Sequence, residues 1–275
     1  TKKIHKNFDV FTRGKKMTEE QIIKEGCYFL SKFKQFNVMN NINKYIEIEK
    51  TIDEYSCFVS SIANEELWES LEYNEYLKNL TETLREESII CLQNFEKYKV
   101  LELSKDMHNM SDYFKGMEIC IEVELNRLKI TSSSKIMFIG AGAFPASCLS
   151  IAQKTGAEVF GIDIDSEAVR LARIVLSALG NTERITITDC PIGKLEFTKT
   201  ASHIILASTV KSKFEILTQL HSLTSKEVVI AVRYGNGVKS LFNYPLKDVD
   251  ETFWKLVHTV SIPKSLFDIA VYKKS

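Results

Sequence analysis

Two short apolar runs, the first ending in a glycine turn and the second in an acid, limit the fold of this chain more than any other feature. The first is Ile136-Met-Phe-Ile-Gly140-Ala-Gly142, and the second, about 20 residues later, is Gly161-Ile-Asp163. A strand, a glycine turn, a helix and an acid-tipped strand in this order form a βαβ unit that binds a nucleoside. The glycines let the backbone approach the ligand, and the acid accepts hydrogen bonds from the ribose. The sequence therefore predicts an adenosine-containing cofactor.

Composition narrows the class of partner. The 275 residues, 44% of them hydrophobic, suffice for a large core in one or two domains. Thirty-six basic residues balance thirty-six acidic ones, so we predict a small-molecule substrate rather than nucleic acid or a membrane surface. The sequence has no apolar run long enough to span a membrane and no signal peptide, so we expect a cytoplasmic protein; a homodimer is compatible with the sequence, which does not fix the oligomeric state. The spacing of the cysteines and histidines predicts no disulfide and no metal site, so no metal is expected in catalysis.

The chain changes character near residue 130. All four prolines and eight of the eleven glycines lie at or after Gly140, so the first half is poor in helix breakers. Thr-Glu-Glu-Gln at 18–21 is a capping box that opens a helix to about residue 36. Apolar spacings of three and four predict further helices over 41–62, 65–79, 81–104 and 111–128. We therefore predict an N-terminal helical domain over 1–130, in which the polar, lysine-rich segment 1–17 is partly disordered.

From residue 131 onwards, short β-branched runs alternate with helices, which is typical of a mostly parallel sheet flanked by helices. The predicted strands cover residues 136–139, 158–162, 185–188, 203–207, 228–232 and 267–272. The predicted fold is α/β, with a Rossmann-like, class I methyltransferase-type sheet domain over 131–275 that follows the helical domain.

A βαβ unit of this kind can bind any of three cofactors: nicotinamide dinucleotides, flavin and S-adenosylmethionine. Pro145 stands where the dinucleotide fingerprint needs a third glycine, although proline suits the first turn of a helix. Asp163 would bind the ribose and Ile164 would pack on the adenine, whereas Asp165 should cap the next helix. Asp189 ends the third strand, where class I methyltransferase-like folds read the adenine amino group, or it is an ordinary turn acid. Together these signals favour S-adenosylmethionine, cradled by Gly140, Gly142, Ala143, Phe144 and Pro145.

The cofactor alone does not fix the reaction, because its sulfonium carries several electrophilic carbons. Attack on the methyl leaves S-adenosylhomocysteine, whereas attack on Cγ moves a 3-amino-3-carboxypropyl group and leaves methylthioadenosine. The Asn/Asp-Pro-Pro-aromatic run of many amino-methyltransferases is replaced by Ala207-Ser-Thr-Val210. Ser208 and Thr209 could bind the transferred arm or cap the following helix. At this point the chain could also be a small-molecule methyltransferase or a non-catalytic module that binds S-adenosylmethionine. A nicotinamide dehydrogenase is a third, weaker alternative.

Several segments, in their order and spacing, resemble the nicotianamine synthase family, and in particular its bacterial branch that makes opine-type metallophores such as staphylopine. They are Gly140-Ala-Gly-Ala-Phe-Pro145, Gly161-Ile-Asp-Ile-Asp165, Ile185-Thr-Ile-Thr-Asp189, Ser208-Thr209, Val232-Arg-Tyr-Gly-Asn-Gly237, Leu241-Phe-Asn-Tyr-Pro245 and Phe267-Asp-Ile-Ala-Val-Tyr-Lys273. The resemblance implies transfer of the aminobutanoate arm of S-adenosylmethionine to the α-amine of histidine, D or L, with release of methylthioadenosine. It also implies that a separate opine dehydrogenase condenses the product with a 2-oxo acid.

The attacking amine must be unprotonated, so a nearby proton acceptor would help at neutral pH. The resemblance implies that a tyrosine and a glutamate of the helical domain serve this purpose. Tyr113 matches the tyrosine. Glu96 is our choice for the glutamate, and Glu118 is the alternative.

The remaining candidates concern the acceptor. Arg233 follows an apolar strand at its carboxyl end, where its guanidinium could clamp an α-carboxylate with two parallel bonds or form a surface salt bridge. Asn236 stands between two glycines where staphylopine-type relatives carry an acid. Phe242 and Asn243, with Tyr244, are predicted to shape the acceptor pocket.

Overall fold

The structure is a computed structural model that describes residues 18–38, 45–72, 74–102, 112–180 and 182–275. The segment 1–17, for which we expect partial disorder, lies outside these ranges. Helices come first along the chain and a helix-flanked sheet follows, so the predicted α/β fold with a helical part and a Rossmann-like sheet is confirmed. The division into two domains at about residue 130 stays a prediction.

The described part of the chain before the sheet is mostly helical, with short turns between the helices α1 (Glu19–Val38), α2 (Tyr45–Val59), α3 (Ile62–Glu69), α4 (Glu75–Glu102) and α5 (Asp112–Leu128). The capping box is confirmed, since the Thr18 N–H donates to Gln21 Oε1 at 2.9 Å and the Gln21 N–H donates to Thr18 Oγ1 at 3.3 Å. Buried aromatic side chains, among them Phe33 and Tyr55, fill the space between the helices. Within the described ranges, no helix is both long and apolar enough to cross a membrane.

Two helix boundaries differ from the prediction. The helix expected over 41–62 is split at Ser61, which has extended backbone angles and whose hydroxyl accepts a backbone N–H at 3.4 Å to cap α3. The helix expected over 65–79 is also split, because residues 65–69 belong to α3 and residues 75–79 to α4, which continues through the helix expected over 81–104 as far as Glu102. Asn74 caps the start of α4 by accepting a backbone N–H at 3.0 Å. Short polar side chains therefore set both boundaries.

The described sheet has seven strands in the order β3-β2-β1-β4-β5-β7-β6. In chain order, its strands and helices are β1 (Lys135–Ile139), α6 (Ala146–Thr155), β2 (Glu158–Ile162), α7 (Ser166–Leu179), β3 (Ile185–Thr188), α8 (Glu196–Thr200), β4 (His203–Leu206), α9 (Lys213–Leu223), β5 (Val229–Tyr234), β6 (Trp254–Val260) and β7 (Asp268–Lys274). Strands β1 to β5 are parallel, and β7 pairs antiparallel with β5 and β6. The strand order reverses between β1 and β4, so ligands are expected at the carboxyl ends of these strands.

The sequence prediction misses β6. This strand forms one edge of the sheet, and its five central residues are exposed. A β-bulge between Leu256 and His258 also interrupts the alternation of inward and outward side chains. An exposed and bulged strand lacks the period-two apolar pattern on which the prediction depends.

The helical part packs on the carboxyl edge of the sheet. One hydrophobic cluster runs from the helices into the sheet without interruption, and Phe33 and Phe138 both belong to it. Polar contacts add to it: Tyr55 Oη donates to the Leu241 carbonyl at 2.8 Å, and the Lys97 ammonium lies 2.7 Å from Asp165 Oδ2. This packing closes a cavity between the helices and the sheet.

Candidate active site

A cavity of about 380 Å³ lies between α4, α5 and the carboxyl ends of β1, β2, β4 and β5. The structure brings most of the predicted site residues together in its wall: Glu96, Tyr113, Gly140, Gly142, Phe144, Asp163, Ile164, Ser208, Thr209, Arg233, Phe242 and Asn243. Tyr244, also predicted for the acceptor pocket, lines the same cavity. Five predicted residues lie outside its lining: Ala143, Pro145, Asp189, Asn236 and the alternative glutamate Glu118, which is exposed.

The glycine turn and Asp163 form one end of the cavity. The backbone of the turn needs glycine, because φ is +92° at Gly140 and +69° at Gly142. The Asp163 carboxylate accepts the Gly142 N–H at 2.8 Å and the Asp165 N–H at 3.0 Å. These two bonds fix the carboxylate against the turn and leave lone pairs for a ribose. The predicted cap is confirmed, since Asp165 Oδ1 accepts the Glu167 N–H of α7 at 2.9 Å.

Glu96 reaches the same turn from α4. Its carboxylate accepts backbone N–H groups of Ala143 and Phe144, and a Cβ atom built on Gly142 would lie 2.5 Å from Glu96 Oε2. Burial and the negative charge of Asp163 raise the pKa of Glu96 to about 8, against the effect of those N–H donors. The ligand-free protein therefore holds Glu96 mostly protonated at neutral pH. This places Glu96 at the ribose end of the cavity, and its role toward the acceptor amine stays a prediction.

A Gly142→Ala variant should lose S-adenosylmethionine affinity by at least about tenfold. The new Cβ atom collides with Glu96 Oε2 and also occupies a backbone conformation that alanine disfavours. Gly180→Ala is the matched control, because Gly180 has φ +62° and nothing within 4 Å of an added Cβ atom. Calorimetric titration should show weakened binding in the first variant alone. Equal affinities in both would mean that the contact with Glu96 is unimportant.

Glu96→Gln should remove a pH dependence of stability. The folded-state pKa of Glu96 is about 8 and an unfolded glutamate titrates at about 4.3, so the folded protein holds an extra proton between these values. The free energy of unfolding therefore falls through this group as the pH rises from about 5 to about 8. The variant has no such proton to lose, and its stability relative to the parent should rise over that interval. Urea unfolding at several pH values, with the exposed Glu25→Gln as control, measures this difference; a constant difference would contradict the assignment.

Tyr113 occupies the middle of the cavity wall at the start of α5. It is buried, and its ring meets that of Phe242 edge to face with 6.0 Å between the centroids. The Tyr113 N–H donates to Asp53 Oδ1 at 2.9 Å, which fixes the start of the helix. Burial and the nearby Glu96 raise the pKa of Tyr113. The side chain is thus a neutral phenol, whose hydroxyl can form hydrogen bonds and relay a proton to another group.

Arg233 does not form the predicted clamp. Its Nε lies 3.0 Å from Glu124 Oε1 and its Nη2 lies 2.5 Å from Glu124 Oε2, while Nη1 donates to Ser147 Oγ at 3.0 Å. The guanidinium also lies between the rings of Phe138 and Phe267, at 5.0 and 4.6 Å from their centroids. Glu124 therefore fills the Nε–Nη2 fork, and this fork cannot clamp a substrate carboxylate as predicted. The pair is fully buried, so the surface salt bridge is not formed either.

Sequence reasoning missed Glu124, although a signal was present. Glu124 lies three residues after Ile121 and four after Cys120, which are both buried, so helical periodicity places it on the inner face of α5. An acid at such a position needs a buried partner.

Lys213 was also missed. Its side chain is fully buried, and its ammonium donates to the carbonyls of Ser208 and Arg233, both at 2.7 Å, and of Tyr244 at 3.4 Å. Burial lowers the pKa of Lys213 well below its usual value. Three carbonyl acceptors nevertheless match the three N–H donors of the charged form. Lys213 holds three segments of the cavity wall together, and nothing in the local sequence distinguishes it from a solvated lysine at a helix start.

A polar cluster, which we call the rim cluster, consists of Glu86, Lys211 and Tyr244, three side chains that line the cavity. Glu86 Oε1 accepts the Lys211 ammonium at 2.8 Å and the Tyr244 hydroxyl at 2.9 Å. Burial raises the pKa of Glu86, but these two hydrogen bonds outweigh it, and the pKa is lowered overall. The Arg85 guanidinium lies 5.3 Å from the centre of the Tyr244 ring. The prediction named Tyr244 but not the two charged members.

The structure corrects two further expectations. Asn236 is exposed, and its Oδ1 accepts the Leu246 N–H at 3.1 Å, so it stabilises a loop instead of facing the acceptor. Ser208 and Thr209 do not cap the following helix, because Ser212 precedes the first residue of α9.

Asn243 is buried in the wall, where its Nδ2 donates to the carbonyls of Lys239 and Leu266. The role of Asp189, which is exposed, stays a prediction.

The chain is similar to known proteins, some of which are named for an activity. No protein-family model matches the chain. A protein of Pseudomonas aeruginosa (strain PAO1) named L-histidine 2-aminobutanoyltransferase is 26% identical over 231 residues, which cover 84% of this chain and 88% of that protein. A protein of Yersinia pestis with the same name is 26% identical over 237 residues, covering 86% and 88%.

Two solved structures of MtNAS, a nicotianamine synthase, share the fold. A glutamate-to-glutamine variant in complex with S-adenosylmethionine matches with a TM-score of 0.75 and 16% identity, covering 91% of this chain and 97% of that one. The complex with MTA and tNA matches with a TM-score of 0.75 and 15% identity, covering 92% and 97%. The chain is therefore similar over most of its length to proteins named L-histidine 2-aminobutanoyltransferase, and it has the fold of nicotianamine synthase.

Proposed function

We propose that this protein transfers the 3-amino-3-carboxypropyl group of S-adenosylmethionine to the α-amine of histidine and releases methylthioadenosine. Relatives with this activity in their name match across more than four fifths of the chain. The observation that carries the proposal is the single cavity with two unlike ends. The glycine turn and Asp163 lie at the ends of β1 and β2, and Phe242, Asn243 and Tyr244 belong to the segment that follows β5, on the other side of β4.

The turn end suits the co-substrate. Asp163 is held by two backbone bonds in the position where it can accept hydrogen bonds from ribose hydroxyls. Ile164 is 97% exposed although apolar, and it lines the cavity, so an adenine ring would cover it. Protonated Glu96 adds a donor beside Asp163. The bound sulfonium supplies the electrophilic carbon, and the protein has to hold its amino-acid arm toward the far end.

The far end suits an amino-acid acceptor. An α-amine titrates near pH 8, so it has to lose a proton before it attacks. Tyr113 lines the cavity beside Phe242, and its hydroxyl is our candidate to hydrogen-bond the amine and to relay its proton to water, because a neutral phenol does not keep a proton itself. The rings of Tyr113 and Phe242 exclude water from the approach to the sulfonium. As the resemblance implies, the product would then pass to an opine dehydrogenase for condensation with a 2-oxo acid.

The test is to incubate the purified protein with S-adenosylmethionine and either enantiomer of histidine, and to identify the products by mass spectrometry. We expect methylthioadenosine and an aminobutanoyl adduct, with L-histidine preferred because both relatives are named for it. S-adenosylhomocysteine would instead identify a methyltransferase. Calorimetric binding of S-adenosylmethionine without any product across a panel of amino acids would identify a non-catalytic module.

A further inference from the structure

We propose that the rim cluster reads the zwitterionic head of the acceptor: Lys211 binds its α-carboxylate, and Glu86 receives its α-ammonium group before the proton is lost. This inference rests on the proposed function, because it concerns how that acceptor is recognised. It assigns a substrate-binding role to two residues that the sequence analysis did not select.

The first step is the choice of cation. Among the described residues that line the cavity, Lys211 and Arg233 carry a positive charge. Three of the five N–H donors of Arg233 are bound to Glu124 and Ser147, and the guanidinium is held in place between two aromatic rings. A carboxylate that enters the cavity therefore finds Lys211 as the cation that can reorient toward it.

The second step is the exchange of partners. The Lys211 side chain is 74% exposed, and the ion pair that it forms with Glu86 is 2.8 Å long. Exposed ion pairs are weak, because water screens the charges and both side chains lose freedom in forming them. An amino-acid zwitterion offers the two opposite charges side by side. It can therefore replace one protein pair by two intermolecular pairs, carboxylate with Lys211 and ammonium with Glu86.

The third step is what keeps Glu86 in place during the exchange. The Tyr244 hydroxyl also donates to Glu86 Oε1, at 2.9 Å. The Tyr244 backbone N–H donates to the Ser208 carbonyl at 3.0 Å, and the Arg85 guanidinium lies against the ring. Glu86 thus remains anchored when Lys211 turns to the ligand. The cluster selects acceptors that carry both an amine and a carboxylate.

Histamine tests this selection, because it is histidine without the carboxylate. The wild-type protein should use L-histidine with a kcat/KM at least about 100-fold above that of histamine, and Lys211→Met should reduce this ratio at least about tenfold. The loss should appear in KM for histidine, while KM for S-adenosylmethionine stays within about threefold. Lys211→Arg should restore most of the preference, since arginine also binds a carboxylate. Lys199→Met is the matched control, because Lys199 is exposed and paired with Glu196 at 2.8 Å but lies outside the cavity.

Calorimetry of histidine and histamine binding makes the test independent of turnover. Weakened binding of histidine alone in the Lys211→Met variant would support the assignment. An unchanged histidine-to-histamine ratio in that variant, or a wild-type protein that does not distinguish the two ligands, would overturn it. Failure of the proposed function gives a different result: no methylthioadenosine forms in the wild-type protein with either compound.

Discussion

Tyr113→Phe should lower kcat by about 10²- to 10⁴-fold, which is the usual contribution of a positioned acid or base. The substitution removes one buried hydroxyl from the wall between the two ends of the cavity and keeps the ring that packs against Phe242. Affinity for S-adenosylmethionine should stay within about threefold, because the ribose end of the cavity is formed by Asp163 and the glycine turn. Steady-state rates of methylthioadenosine release, together with calorimetric titration of the co-substrate, separate the two effects.

The matched control for this prediction is Tyr28→Phe, which removes a hydroxyl from a half-exposed tyrosine on α1. It should leave both turnover and affinity unchanged. Wild-type turnover in the purified Tyr113→Phe variant would remove Tyr113 from the chemistry and return the search to Glu96 and Glu86.

Glu124→Gln should lower the free energy of unfolding by about 3 kcal/mol, near the lower end of the range for breaking a buried ion pair from one side. The variant leaves the Arg233 guanidinium buried between Phe138 and Phe267 without a counter-charge. The glutamine oxygen can keep one hydrogen bond to the guanidinium, which is why we do not expect the full penalty. Urea unfolding measures the difference.

Glu122→Gln is the control for this second prediction, since Glu122 is an exposed acid on the same helix. Its stability should stay within about 0.5 kcal/mol of the wild-type value. A paired replacement by apolar side chains, Glu124→Leu with Arg233→Met, should recover part of the loss, because it removes the unpaired charge. If Glu124→Gln unfolds at the same urea concentration as the control, the buried pair contributes nothing to stability.

The features that the sequence predicted correctly are local in the chain. The glycine turn, the cap at Asp165 and the capping box at Thr18 each depend on residues a few positions apart, so their chemistry is visible in a short window. The acid-tipped strand that brings Asp163 to the turn is only slightly less local, since its βαβ unit has a fixed length. This end of the site was therefore predictable.

The features that the sequence did not predict are pairings between distant residues. Glu124 and Arg233 are 109 positions apart, and Glu86 and Tyr244 are 158 apart. Their partners become known only when the helices lie on the sheet. Arg233 was correctly placed at a strand end, but its role was misassigned because the acid that fills its fork comes from a different part of the chain.

The uninterrupted apolar core shared by the helices and the sheet has a consequence for how ligands come and go. A rigid-body movement of the helices away from the sheet would expose that core to water. The free-energy cost of this movement grows in proportion to the apolar area that it exposes. Exchange with solvent should instead proceed through side-chain rearrangement in the cavity wall, where the Lys211 side chain is 74% exposed and can turn away from Glu86. The Lys211 side chain would then control both the entry of the acceptor amino acid into the cavity and its binding there.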